Sequence, residues 1–98
     1  MEELIFRYPA RQPITKRIQV GVVASGDLEI LLEPAENGQS TFIVRTSVPG
    51  FTEVWQLMFE RFMQTYDRAV RVEINDAGAT PGVVALRLAQ AMEGVLSV

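Results

Sequence analysis

The chain contains no cysteine and no histidine in its 98 residues. Without cysteine there is no disulfide, no thiolate nucleophile and no thiolate metal site. Without histidine, Ser-His-Asp catalysis and the usual zinc and haem ligation are excluded within this chain. A general base would have to be Asp, Glu, Lys or Tyr with a strongly displaced pKa. These residues therefore do not point to an enzyme acting alone. Long apolar runs are also missing, since none approaches the ~20 residues of a membrane-spanning helix. The start Met1-Glu2-Glu3-Leu4-Ile5-Phe6 is acidic before it is apolar, the wrong order for a signal peptide, and the expectation is a cytoplasmic protein. A net charge of −3 argues against nucleic acid as the main partner, because phosphate binding draws on clustered Lys and Arg. Four of the nine basic residues do gather early, at Arg7, Arg11, Lys16 and Arg17. A solvated surface accounts for them; the alternative is contact with an acidic partner or with the phosphates of a cofactor.

What is present is a core. With 48% hydrophobic residues and a length near the commonest domain size, residues 1–98 read as one domain. Leu4–Tyr8 forms a first strand, and Pro9 and Pro13 bracket an irregular connection because proline cannot donate to a ladder. Arg17–Ala24 is a second strand, with Ile18, Val20 and Val22 alternating toward one face. A turn at Ser25-Gly26-Asp27 follows, and Leu28, Ile30 and Leu32 alternate on a third strand whose other face carries Asp27, Glu29, Leu31 and Glu33. Asn37-Gly38 is the strongest hairpin dipeptide in the chain, and Thr41–Thr46 follows it as a fourth strand, so the first half reads as an antiparallel meander.

The period then changes from two to between three and four. Trp55, Met58, Phe59, Phe62 and Met63 make one helical stripe, with Glu53, Gln56, Glu60, Arg61 and Gln64 outside it. Thr52 is the expected N-cap and Glu53 suits the first turn. Ala69–Ile74 alternates again as a fifth strand. Thr80 and Pro81 then open a second helix as N-cap and first helical residue. In that helix Val84, Leu88, Ala91 and Val95 line one side, Val83, Leu86, Met92 and Leu96 widen it, and only Arg87, Gln90 and Glu93 are polar. So apolar a helix is either well buried or half of a protein interface. The sum is an α+β two-layer sandwich, with a mainly antiparallel sheet of about five strands covered by two helices.

Three places could carry chemistry. Ser25 offers a hydroxyl on a hairpin turn, which serves either as an attachment point or as an ordinary turn serine; the residues alone leave that open. Asp76-Ala77-Gly78-Ala79-Thr80-Pro81-Gly82 could receive an anion at a helix start, but it lacks the GxGxxG and GxxxxGK[ST] spacings, and a strand-to-helix corner explains the same residues. The acidic residues Asp27, Glu29 and Glu33 show no metal-like spacing and read as solvated surface.

The segment Val23-Ala24-Ser25-Gly26-Asp27-Leu28-Glu29-Ile30-Leu31-Leu32-Glu33-Pro34 resembles the modification segment of the malonate decarboxylase acyl carrier family, the delta subunit. The likeness continues in Tyr8-Pro9-Ala10, Thr46-Ser47-Val48, Trp55, Phe59-Glu60-Arg61 and Asp76-Ala77-Gly78-Ala79-Thr80-Pro81-Gly82-Val83-Val84, in order over essentially the whole chain. The citrate lyase acyl carrier is a more distant likeness. The resemblance implies a non-catalytic carrier whose Ser25 bears phosphoribosyl-dephospho-coenzyme A through a phosphodiester. It implies acetyl and malonyl thioesters on that arm, and acyl transferase and decarboxylase subunits as partners, with a nucleotidyltransferase attaching the group. Gly26, Asp27 and Glu29 become candidates for partner recognition. The rivals are a citrate lyase-type carrier and an unmodified structural subunit. A helix start at Thr80-Pro81-Gly82 that steadies the arm is a further expectation, and it requires that start to share an end of the sheet with Ser25.

Overall fold

The computed structural model describes residues 1–13, 21–35 and 38–96. The strands are β1 (Glu2–Pro9), β2 (Gln12–Pro13), β3 (Gly21–Ser25), β4 (Leu28–Pro34), β5 (Gln39–Thr46) and β6 (Arg68–Asp76). The helices are α1 (Thr52–Thr65), between β5 and β6, and α2 (Pro81–Leu96), after β6. The five longer strands lie in the order β1-β5-β6-β4-β3, and β2 adds a two-residue parallel bridge to the start of β6. Both helices cover one face, which makes the α+β two-layer sandwich.

The sheet is not a meander. β4 and β5 are not neighbours, because β6 lies between them, antiparallel to β4 and parallel to β5. Asn37-Gly38 therefore closes no hairpin. Asn37 lies outside the described residues, and Gly38, at φ 63°, takes the N–H of Ala10 on its carbonyl at 2.9 Å instead. The competing factor is burial. Val70, Val72 and Ile74 of β6 are fully buried and need a strand on each side, and α1 supplies the crossover that a parallel β5–β6 pair requires. Pro13, expected in an irregular connection, pairs with Ala69 at the β2 bridge.

On the covered face Phe42 stacks on Phe59 at 4.2 Å, and Phe6, Phe62 and Trp55 approach the same pair of rings. The α1 stripe is as expected, with Trp55, Phe59 and Phe62 buried and Met58 and Met63 half-buried. Its cap is not. Phe51 holds the N-cap position with no side-chain cap bond, and Thr52 is the first helical residue. The first intrahelical bond runs from Trp55 N–H to Phe51 O, so the backbone start falls one residue earlier than the Thr hydroxyl could serve. At α2 the cap is as expected: Val83 N–H donates to Thr80 Oγ1 at 3.3 Å, and Pro81 leads the helix. Val84, Leu88, Ala91, Met92 and Val95 are buried beneath α2, while Leu86 stays exposed.

The second strand's alternation has the opposite phase to the one expected. Val22 is 64% exposed, and Val23, paired with Ile30, joins the core. Ile18 and Val20 lie outside the described residues. The open face carries an ionic lattice: Arg45 meets Glu3 at 3.0 Å and Glu73 at 3.6 Å, while Arg71 meets Glu73 at 3.2 Å and Glu33 at 3.3 Å. The hydrogen bond to Glu73 is the first cause of the raised Arg71 pKa.

Trp55→Ala is expected to destabilise the protein by about 3–5 kcal/mol, the cost of emptying an aromatic site in a small core. Urea unfolding followed by far-UV circular dichroism checks this.

Candidate functional site

Ser25 is the last residue of β3 and pairs with Leu28 across a two-residue turn made by Gly26 and Asp27. It is thus a strand residue with a paired backbone, not a member of the turn. Register places it in one cross-strand row, Glu2–Thr46–Asp76–Leu28–Ser25, at one rim of the sheet. Leu28 is buried beneath the helices, so Ser25, its cross-strand partner, shares the covered face. Its side chain is exposed.

Two acceptors face the hydroxyl. Ser25 Oγ lies 3.0 Å from Asp27 Oδ1 and 3.4 Å from the Leu28 carbonyl. Gly26 beside it does not have its φ in the left-handed region, and a Cβ there would meet nothing within 4 Å. The backbone does not demand glycine at that position; glycine leaves space next to the hydroxyl. The turn is fixed from behind by Ala77 N–H, which donates to the Asp27 carbonyl at 2.9 Å.

That contact ties Ser25's hairpin to the segment after β6. Asp76, beyond the fifth strand expected at Ala69–Ile74, ends β6 instead and is buried. Its Oδ2 takes the Thr46 hydroxyl at 2.8 Å, and its Oδ1 takes the N–H groups of Ala79 at 2.9 Å and Gly78 at 3.3 Å. Thr46 Oγ1 in turn takes Val48 N–H at 3.0 Å, and Ser47 N–H donates to the Asp76 carbonyl. Gly78, at φ 107°, supplies the left-handed residue this corner needs. The signal was available in the Asp76-Ala77-Gly78 order, since aspartate before glycine often caps its own backbone two residues on.

The helix start at Thr80-Pro81-Gly82 thus shares a rim with Ser25. Most of its donors are engaged: Pro81 has no N–H, and Val83 and Val84 donate to Thr80, which leaves the Gly82 N–H. Asp76 already occupies the anion position beside Gly78 and Ala79. This geometry fits the corner reading of the segment and leaves little for an external anion.

The other sequence candidates disperse. Glu29 sits on the open face and accepts Asn75 Nδ2 at 3.1 Å, and Glu33 pairs with Arg71. Arg7 and Arg11 lie toward the far end of the sheet from Ser25, with Arg7 five residues along β1 from the rim row, or about 16 Å at strand rise. Arg11 is engaged with Asp67, whose carboxyl is held below its ordinary pKa first by the Arg11 backbone N–H and then by its guanidinium. Lys16 and Arg17 lie outside the described residues. Among the described residues no cluster of acidic side chains could hold a metal ion, and no helix is long and apolar enough to cross a membrane.

Ser25 thus stands as an exposed hydroxyl at the end of a braced strand. The sequence comparisons supply the class of protein, an acyl carrier. A family profile for the malonate decarboxylase delta subunit (MdcD), an acyl carrier family, matches residues 15–95, and the chain belongs to that family. The chain is 54% identical over 99 residues to the malonate decarboxylase acyl carrier protein of Azotobacter vinelandii, covering all of both chains. It is 51% identical over 96 residues to that of Pseudomonas fluorescens strain SBW25, covering 97% of each. Its fold matches a chain in the crystal structure of a Pseudomonas malonate decarboxylase hetero-tetramer in complex with malonate. The TM-score there is 0.82 at 44% identity, over 97% of this chain and 99% of that one.

Asp76→Ala leaves a buried hydroxyl and two N–H groups without their acceptor and is expected to cost roughly 2–4 kcal/mol. Ser25→Ala, at an exposed site, is expected to stay within about 0.5 kcal/mol of the parent. Parallel urea titrations of the two variants measure the contrast.

Proposed function

We propose that this chain is the acyl carrier subunit of a biotin-independent malonate decarboxylase, anchoring phosphoribosyl-dephospho-coenzyme A through a phosphodiester at Ser25. The observation that carries the reading is the Ser25 hydroxyl itself, exposed at the rim of a pinned hairpin in a chain with no catalytic set of its own. The residues present fit such a group. The hydroxyl is accessible, the space beside Gly26 is open, and the backbone on both sides of Ser25 is held by strand pairing and by Ala77. When attached, the group supplies the thiol this chain lacks, carrying acetyl and malonyl as thioesters whose carbonyl delocalises the charge left as carbon dioxide departs.

The chain's own contribution is presentation. The covered face makes a rigid base, and Ser25 stands at its rim, so whatever is joined there is held at high effective concentration for docked partners. Those partners are an acyl transferase subunit and a decarboxylase subunit, with a nucleotidyltransferase acting earlier to attach the group; stabilising the developing charge falls to them. Their presence is supported by the hetero-tetramer that contains the structural relative. Gly26 and Asp27 at the rim, with Glu29 one row in on the open face, are the residues such partners would read. The cytoplasm is the compartment in which these partners and their substrates would meet this carrier.

Intact-mass analysis after co-expression with the attaching enzymes tests the assignment. The expected outcome is an adduct of the prosthetic group's mass on the wild type, none on Ser25→Ala, and loss of malonate decarboxylation by a complex reconstituted with that variant. An adduct retained on Ser25→Ala, or full activity with it, overturns the reading.

A further inference from the structure

We propose that Asp27 accepts the Ser25 hydroxyl proton when the prosthetic group is attached, so that the carrier supplies the general base for its own modification. The inference rests on Ser25 being the anchor. It begins with the side-chain acceptor that faces that hydroxyl among the described residues, Asp27 Oδ1 at 3.0 Å, inside the range in which a base can take a proton directly. The Leu28 carbonyl at 3.4 Å is the alternative acceptor. A serine hydroxyl has a single proton to donate, and the shorter bond to a carboxylate is the stronger of the two.

The surroundings leave Asp27 available for this. Among the described residues no ion pair engages its carboxylate. The other acids of the rim are committed elsewhere: Glu29 to Asn75 on the open face, Asp76 inward to Thr46, Gly78 and Ala79. The Asp27 backbone is fixed by the Ala77 N–H bond to its carbonyl, and Ser25's by its pairing with Leu28. The acceptor and the nucleophile are therefore held in register by the fold before any modifying enzyme arrives. Both are exposed, so the pair can be reached from solvent.

The chemistry balances without a redox partner. A bond forms between Ser25 Oγ and the phosphorus of a phosphoanhydride donor, and the phosphorus–oxygen bond to the leaving phosphate chain breaks. The Ser25 proton passes to Asp27 Oδ1 and from there to water. An aspartate that accepts the hydroxyl proton of a phosphoryl acceptor is an established device of kinases. Here the aspartate lies two residues from the acceptor on the modified protein itself, which leaves the attaching enzyme the tasks of holding the donor and stabilising its charge.

The bland account of the same bond is that it only shapes the turn, and a third is that Asp27 is a docking contact. Steady-state kinetics of attachment separate them, using the full chain, the purified nucleotidyltransferase and its activated donor, with the adduct read by intact mass. Asp27→Asn keeps the side chain's shape and an oxygen that can accept from Ser25, so its melting temperature should match the parent. Its kcat for attachment is expected to fall about 100-fold, the usual scale of a lost general base, with KM for the carrier unchanged. Asp27→Glu, which restores a carboxylate on a longer stem, should recover part of the loss. A kcat for Asp27→Asn within about twofold of the parent overturns the proposal, as does a raised KM with kcat intact. Failure of the Ser25 assignment looks different: no adduct on the wild type, or an adduct that survives Ser25→Ala.

Discussion

The buried carboxylate of Asp76 is the constraint on which the working end of this molecule depends. It gathers the end of β5 through Thr46, the corner after β6 through Gly78 and Ala79, and, one residue on, Ala77 N–H reaches the carbonyl of Asp27. A buried charge is costly unless it is fully hydrogen-bonded, and the same low polarity that makes it costly strengthens each bond it does form. The consequence is a rim with one arrangement. Two loops and a hairpin turn that would otherwise move independently are joined by four hydrogen bonds, and Ser25 inherits its position from them.

The two faces of the sheet divide the remaining labour. On the covered face the aromatic cluster around Phe42 and Phe59, together with Leu28, Ile30, Leu32 and the apolar side of α2, provides the hydrophobic stabilisation. On the open face Arg45 and Arg71 bridge Glu3, Glu33 and Glu73 across four strands, with Ile5 and Val22 exposed beside them. Exposed ion pairs of this kind contribute little each to stability, so their main effect is to neutralise a face that would otherwise carry unpaired charge. Asp27 lies outside that lattice.

How much of this was legible in the sequence follows from the range of each interaction. The Ser25 hairpin, the α1 stripe and the Thr80-Pro81 start depend on residues within a few positions of one another, and all three were readable. The strand order was not. Asn37-Gly38 is a strong local hairpin signal, yet β6, some thirty residues downstream, enters between the strands on either side of it because Val70, Val72 and Ile74 must be buried from both edges. The phase of β3 was missed because Val22 and Val23 are equally apolar, so only the register with Ile30 decides which one faces inward. The Thr52 cap was missed by one residue, a displacement that propensity cannot resolve. At this rim the sequence singles out Ser25, but it reads Asp27 as surface and Asp76 as the start of a strand-to-helix corner, and shows neither the contact of Asp27 with Ser25 nor the burial of the Asp76 carboxylate. Its burial depends on Thr46 in a parallel strand thirty residues away.

That separation also bears on the proposed attachment at Ser25, which would proceed without remodelling the fold. The groups that stabilise the rim, Asp76, Thr46, Gly78 and Ala79, point inward or are backbone, whereas the side chains of Ser25 and Asp27 are exposed and the contacts that tie these two residues to the rest of the fold run through their main chains. Converting the Ser25 hydroxyl to an ester removes one exposed hydrogen bond and leaves the ladder to Leu28 and the Ala77 contact in place. A carrier needs this, because it must present the same shape to its partners before and after loading. On the proposed function the reactive thiol sits on an attached arm, and a cysteine or histidine in the chain would then add competing reactivity near the substrate and nothing to its delivery.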